Sequence, residues 1–239
     1  MKGDDNLSKG ILIIGTDTDI GKTFITAGIT YLLRKNGFNA CSFKPIESGG
    51  ILKGKNLVSK DTKFVKDITN LKESNDTLNT YCLKTSVSPH LAFEIENKTF
   101  KKKVIIDNYK KLDEKFDYKI VEGAGGVIVP IIRNEYFLYD LIKDLDLPVV
   151  IVTNASVGTI NKTLLTVNFL KEKDIKIKGI IINNYTNKFY EDDNIKVLKN
   201  ITKLDILAIV KRVKNNDYSK IRSEYESSLD IKKLLSLFT

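Results

Sequence analysis

Ile11-Leu12-Ile13-Ile14-Gly15-Thr16-Asp17-Thr18-Asp19-Ile20-Gly21-Lys22-Thr23 is the stretch that decides the fold. Its four leading apolar residues predict a strand buried on both faces. The Gly-Lys-Thr that follows stands where a helix begins. Strand, glycine-containing loop and helix start, in that order, predict a phosphate-binding loop. Its backbone N–H groups face phosphate oxygens, and the helix dipole favours their negative charge. Gly21 allows a close backbone approach. Lys22 then reaches the terminal phosphates, and the Thr23 hydroxyl is placed for Mg²⁺. The spacing departs from the common pattern. Five residues separate Gly15 from Gly21 instead of four, and Thr16 occupies the first glycine's place.

Outward from the loop, short apolar runs alternate with helical periodicity. Helices are predicted over 22–35, 59–69, 89–96, 104–116 and 159–172, another near Asn194, and a helical tail over 219–237. Strands are predicted over 40–44, 119–121, 149–152, 179–182 and 206–210. Strands apolar on both faces, separated by helices, predict an α/β domain: a doubly wound, mostly parallel sheet with helices on both faces, in three layers. Ligands in such sheets bind beyond the carboxyl ends of the strands. No repeat, low-complexity tract or linker divides residues 1–239, so a single domain is expected. The four prolines, Pro45, Pro89, Pro130 and Pro148, are each expected beside a strand end or a helix start.

Composition narrows the class. With 42% hydrophobic and 29% charged residues, the 239-residue chain reads as globular. No apolar run approaches the roughly 18 residues of a membrane span, and Met1 to Gly10 lacks an apolar secretory core. Two cysteines, Cys41 and Cys82, make no disulfide framework or zinc spacing, and both are expected in the core. A cytoplasmic location follows as an expectation. The net charge of +9 comes from lysines spread along the chain. The densest run, Lys101-Lys102-Lys103, opens a helix as a solvated face, so neither nucleic acid nor membrane is expected as a partner.

Further motifs stand at predicted strand ends: Lys44-Pro45-Ile46-Glu47-Ser48-Gly49, Ser88-Pro89-His90, Val121-Glu122-Gly123-Ala124-Gly125-Gly126 and Gly158-Thr159-Ile160-Asn161. With the loop, in this order and spacing, they closely resemble the dethiobiotin synthetase family over about Gly10 to Val213. The resemblance implies a homodimeric P-loop ligase. It closes the ureido ring of dethiobiotin from 7,8-diaminononanoate, CO₂ and Mg-ATP, through a carbamate and a carbamic-phosphoric anhydride.

It also implies residue roles. Lys44 and Lys22 are the expected catalytic cations. Thr18, Asp19, Ile20, Gly21, Lys22, Thr23 and Phe24 are expected around the nucleotide, together with Asp61, Glu122, Gly123, Ala124, Gly125, Asn183 and Asn184. Thr23, Asp61 and Glu122 are the expected Mg²⁺ ligands. Ser48 and Thr18 face the substrate, and Gly158, Thr159, Ile160 and Asn161 offer a helix start to its carboxylate across the dimer. His90 is expected to be structural.

Three positions depart from the family pattern. Asn184 stands where an Asp is common, Lys211-Arg212-Val213 where a Pro opens the base loop, and Lys162 where a His is common. Two other readings share the loop. P-loop amide-forming synthetases of cobalamin assembly carry an additional glutamine-hydrolysing domain, which this length is not expected to hold. Partitioning-type ATPase switches carry an extra lysine near the loop's start, where Thr16-Asp17 stands here.

Overall fold

The computed structural model describes residues 9–54, 56–214 and 217–239. The polar start therefore lies outside the described residues as far as residue 8. Strand β1 (Lys9–Gly15) leads through the loop into helix α1 (Lys22–Lys35), and β2 (Ala40–Ser48) follows. A hairpin, β3 (Ile51–Lys53) and β4 (Asn56–Val58), precedes α2 (Lys60–Thr69), α3 (Asn75–Leu78) and β5 (Asn79–Leu83). Next come α4 (Pro89–Ile95), α5 (Lys102–Asp113), β6 (Tyr118–Gly126), a second hairpin of β7 (Pro130–Ile132) and β8 (Tyr136–Phe137), and α6 (Leu138–Asp144). The chain continues through β9 (Val149–Thr153), α7 (Thr159–Glu172), β10 (Ile177–Tyr185), α8 (Glu191–Thr202) and β11 (Ile206–Lys211) to α9 (Tyr218–Ser228) and α10 (Ile231–Ser236).

Seven strands form one sheet in the order β11-β10-β9-β1-β6-β2-β5, each neighbouring pair parallel. In the centre, Leu12 lies between Val121 of β6 and Val149 of β9, and all three are buried. From β1 the order runs one way through α1 and α2 and the other way through α7 and α8. Right-handed crossovers therefore put the two groups on opposite faces. Side-chain packing agrees. The Phe24 ring of α1 stacks on Phe64 of α2 and tilts against Tyr225 of α9, whereas Tyr139 of α6 meets Phe169 of α7 edge-on. The strand order reverses at β1, which sets the carboxyl ends of β1, β2 and β6 around one crevice.

The sheet is longer than the apolar runs suggest. Edge strand β5 escapes hydropathy because its middle residues are only half-buried. Cys82 belongs to it and is accordingly half-buried rather than in the core, while Cys41 is fully buried. Pro45 lies inside β2, not at its end. The pairing of β2 with β6 covers Ala40–Phe43 and stops before Pro45, so no hydrogen bond to β6 is lost there. The tail is two helices: Leu229 turns extended (φ −107, ψ 130), and Asp230 caps α10 by accepting from the Lys232 and Lys233 N–H groups. Among the described residues no helix is long and apolar enough to cross a membrane.

Candidate active site

The loop after β1 is shaped by its glycines. Gly21 has φ +94, and a Cβ there would stand 2.0 Å from the Asn183 side-chain nitrogen. That nitrogen donates to the Ile20 carbonyl at 2.9 Å, so β10 holds the loop from beneath. Lys22 folds back over the loop and donates to the Asp17 carbonyl at 3.1 Å. Burial lowers the Lys22 ammonium to about 8, the neighbouring Lys44 pushes the same way, and Glu122 and Asp61 oppose both.

Lys44, near the carboxyl end of β2, is buried, and its Nζ lies 2.7 Å from Glu122 Oε1 and 2.7 Å from Asp61 Oδ2. It also donates to the Gly123 carbonyl at 3.3 Å. The Thr23 hydroxyl donates to Glu122 Oε1 at 2.7 Å. Three elements thus converge: β6 brings Glu122, α2 brings Asp61 and α1 brings Thr23. Burial pushes the Glu122 carboxyl up to about 7; Lys44 pulls it down, and Asp61 adds to the rise. Burial would lower Lys44, but the two carboxylates overcome this and hold the ammonium above its ordinary value. Burial would raise Asp61, but Lys44 outweighs it, so this carboxyl sits below the usual range.

One ammonium contacting both carboxylates shows that they aim at a common, cation-sized point. Their oxygens, with the Thr23 hydroxyl, are the hard donors that Mg²⁺ prefers. Among the described residues no group of three or more His, Cys, Asp or Glu side chains could hold a metal. A Mg²⁺ ion here would therefore rely on few protein oxygens and on phosphate and water for the rest, as this ion ordinarily does.

These groups open into a cleft of about 840 Å³. Of the residues expected there, Thr18, Asp19, Gly21, Lys22, Thr23, Phe24, Lys44, Ser48, Asp61, Glu122, Ala124 and Gly125 line it. The buried Ser48 hydroxyl has no hydrogen-bond partner among the described residues. Gly123 contributes only its carbonyl to Lys44 and does not line the cleft. Phe64, Ser86, Val87, Ser88, Pro89 and Val129 also line it. The Ser88-Pro89 motif pointed to part of this wall, while the apolar residues gave no signal distinct from core. His90 packs its Nδ1 3.1 Å from the Ser88 hydroxyl at the start of α4.

Other expected residues lie elsewhere. Asn183 is buried against the loop, and Asn184 is exposed at φ +57; neither lines the cleft. Of the base-loop segment, Lys211 gives its N–H to Glu224 and Arg212 gives its N–H to the Tyr185 carbonyl. A second hollow of about 130 Å³ separates the loop from the start of α7 and takes Ile20, Thr159 and Lys162 into its wall. Gly158 caps α7 at φ +89, and Gly158, Ile160 and Asn161 line neither space. Lys162 Nζ lies 2.5 Å from Asp17 Oδ2, and this contact, ahead of the Thr18 N–H, holds Asp17 below its ordinary range.

Glu47 stands within the Lys44–Gly49 motif, which assigned it no role. Its carboxylate is buried and accepts from the Ser59 hydroxyl, the Lys60 N–H at 2.7 Å and the Asp61 N–H at 3.3 Å. An acid among apolar residues near a strand's end was the available signal.

Comparison with known proteins gives concordant findings. A family profile described as an AAA domain matches residues 9–217. The chain is similar to the ATP-dependent dethiobiotin synthetase BioD of Clostridium novyi (strain NT), at 46% identity over 95% of this chain and 98% of that one. It is similar to the protein of the same name from Fusobacterium nucleatum subsp. nucleatum, at 42% identity over 85% and 91%. Among solved structures it resembles a ParA family ATPase from Chlorobium tepidum TLS, with a TM-score of 0.59, 13% identity, and 98% and 97% of the two chains covered. The septum site-determining protein MinD of Pyrococcus horikoshii OT3, complexed with Mg-ADP, gives 0.58 at 14% identity over 97% and 93%. At such identities the structural likeness shows the fold alone.

Proposed function

The chain belongs to the family of ATP-dependent dethiobiotin synthetases, ligases of biotin biosynthesis, and from that membership we propose its reaction and the part each residue takes. ATP is the co-substrate, and the other substrates are small molecules. In the proposed reaction one amine of 7,8-diaminononanoate adds to CO₂ and loses a proton, giving a carbamate. A carbamate oxygen attacks the γ-phosphorus, the β–γ bridging P–O bond breaks, and ADP leaves. The second amine attacks the carbonyl carbon of the mixed anhydride, loses a proton and expels phosphate, closing the ring.

Such phosphoryl transfer needs positioning and charge neutralisation rather than protein covalency. Lys22 holds the transferred phosphate. Lys44 faces both carbamate and phosphate and neutralises charge that develops between them. The unpartnered Ser48 hydroxyl hydrogen-bonds the carbamate or a substrate amine. Thr23, Asp61 and Glu122 hold Mg²⁺, which when bound neutralises phosphate charge. The diamine brings its own nucleophiles, so no basic side chain is required, and His90 keeps a structural role.

We also propose that residues 1–239 act as one unit and work as a homodimer. The start of α7, from Gly158 to Asn161, has no side-chain cap, and its N–H groups other than that of Thr159, which goes to the Ser156 carbonyl, are then offered to the substrate carboxylate in the partner's cleft.

The observation that carries this reading is the Lys44 ammonium, buried beside the loop lysine and in contact with both candidate metal carboxylates. The test measures phosphate release from Mg-ATP and bicarbonate, with and without the diamine, while following product mass. Diamine-dependent release with product at the mass of dethiobiotin is expected. Release unaffected by the diamine, tested with ATP, CTP and GTP, would overturn it.

A further inference from the structure

Asp61 is held by β2 at two points. Its carboxylate meets Lys44, and its backbone meets Glu47, three residues further along the same strand. Glu47 sits at the amino end of α2, where the first N–H groups of a helix have no partner within it. The Ser59 hydroxyl is the side-chain cap: it accepts from the Thr62 N–H at 2.9 Å. A hydroxyl has a single hydrogen, and Ser59 gives it to Glu47 Oε2. Glu47 Oε1 takes the Lys60 N–H and Oε2 takes the Asp61 N–H. The carboxylate thus caps the cap and receives the donors that a single serine leaves over.

Burying this acid carries a cost, because it stands near Asp61 and, among the described residues, has no cation of its own in contact. The positive end of the α2 dipole and three donors offset that cost. Stability alone is served by simpler means at the starts of α9 and α10, whereas at α8 the buried Glu191 of the helix's own first turn takes the Thr186 N–H and hydroxyl and the Lys188 N–H. Asp217 caps α9 and Asp230 caps α10 with exposed side chains and no buried acid behind them. What distinguishes α2 is that its accepting acid comes from another element, β2, and that its first-turn residue Asp61 reaches Lys44.

We propose that Glu47 is a positioning residue: it pins the start of α2 to the end of β2 so that the Asp61 carboxylate reaches the cation shared with Glu122. This rests on the reading of Asp61 as a Mg²⁺ ligand given above. Loss of a group that orients a metal ligand ordinarily weakens the metal by about 10–100-fold.

The experiment measures the Mg²⁺ concentration that half-saturates ADP binding, by titration calorimetry on the full chain, alongside thermal unfolding. Glu47→Ala should raise that concentration about tenfold, and Glu47→Gln, which keeps one acceptor oxygen but turns an NH₂ group toward the α2 donors, should raise it less. Asp61→Asn should raise it too, and adding Glu47→Ala to Asp61→Asn should change it no further. If Asp61→Asn shifts the Mg²⁺ dependence while folded Glu47→Ala or Glu47→Gln leaves it at the wild-type value, the positioning role is overturned, whatever the loss of thermal stability. If Asp61→Asn itself binds Mg-ADP like the wild type, the metal reading of Asp61 fails, and the role of Glu47 falls with it. Should Glu47→Ala not fold, the Glu47→Gln titration decides alone.

Discussion

Lys44 Nζ and Glu122 Oε1 stand 2.7 Å apart with both side chains almost wholly buried, on neighbouring strands of the parallel sheet. Each favours the charged form of the other. A lysine buried alone sheds its proton, and a carboxyl buried alone keeps its own. Here Lys44 is held above its ordinary value and pulls Glu122 down against its burial. The pair keeps a permanent cation facing the cleft beside the phosphate loop.

The first prediction concerns Lys44→Gln. Removing a preorganised charge of this kind costs about 100-fold or more in kcat, with nucleotide affinity close to the wild type's because Lys22 and the loop remain. The substitution also leaves Glu122 buried without its cation, so its carboxyl rises further above about 7. A carboxyl raised in the folded state contributes stability that is complete below its unfolded value and lost as pH rises through the folded one. Urea unfolding should therefore show Lys44→Gln closest to wild type near pH 5 and most destabilised near pH 8. A deficit that is constant across this range would reject the pairing, and near-normal turnover would reject the catalytic role.

Ser48→Ala separates binding from folding. The hydroxyl is buried with no partner among the described residues, so the folded protein without ligand gains nothing from it. Thermal unfolding should be unchanged or slightly later, while KM for the diamine rises or kcat falls about tenfold, the cost of roughly one hydrogen bond to a charged group. Lower stability with unaltered kinetics would make Ser48 a structural residue.

Lys22 gives a second pH prediction, from a shift in the opposite direction. Burial and Lys44 lower its ammonium to about 8, so above that pH the Lys22 side chain is mostly neutral before a nucleotide arrives. Phosphate favours the charged form. ADP binding at pH 8.5 should therefore take up a proton, visible as a calorimetric enthalpy that varies with the buffer's ionisation heat. At pH 6.5 that uptake should vanish, and affinity should fall as pH rises past 8. The same uptake in a Lys22→Met variant would assign the proton elsewhere.

Much of this site was legible because its chemistry is local. Gly21, Lys22 and Thr23 follow one strand directly, and Lys44 and Glu122 stand near the ends of two others, so strand assignment placed them at the crevice. What was not legible depends on strand order and burial. Nothing in the neighbourhood of Glu47 says that the start of α2 folds back upon it. Edge strand β5 lacks the apolar run of an interior strand, so hydropathy gives it no strand signal. Asn183 had the right type for reading a base, but its amide is turned to the loop by a contact 163 residues away in sequence.

Asn183 supplies the last prediction, because two roles give different patterns. As a tether, its NH₂ donates to the Ile20 carbonyl and packs where Gly21 leaves room. Asn183→Asp replaces that donor with a carboxylate facing a carbonyl, which loosens the loop for every nucleotide alike. Affinities for ADP, GDP and CDP should fall together by about tenfold, the worth of one lost buried hydrogen bond with its acceptor left unpaired. A base-reading Asn183 predicts instead that the ratio among the three bases changes while the phosphate contribution stands. Equal losses across the three diphosphates identify the tether; a change confined to one base identifies the reader and would show the amide turning toward the nucleotide on binding.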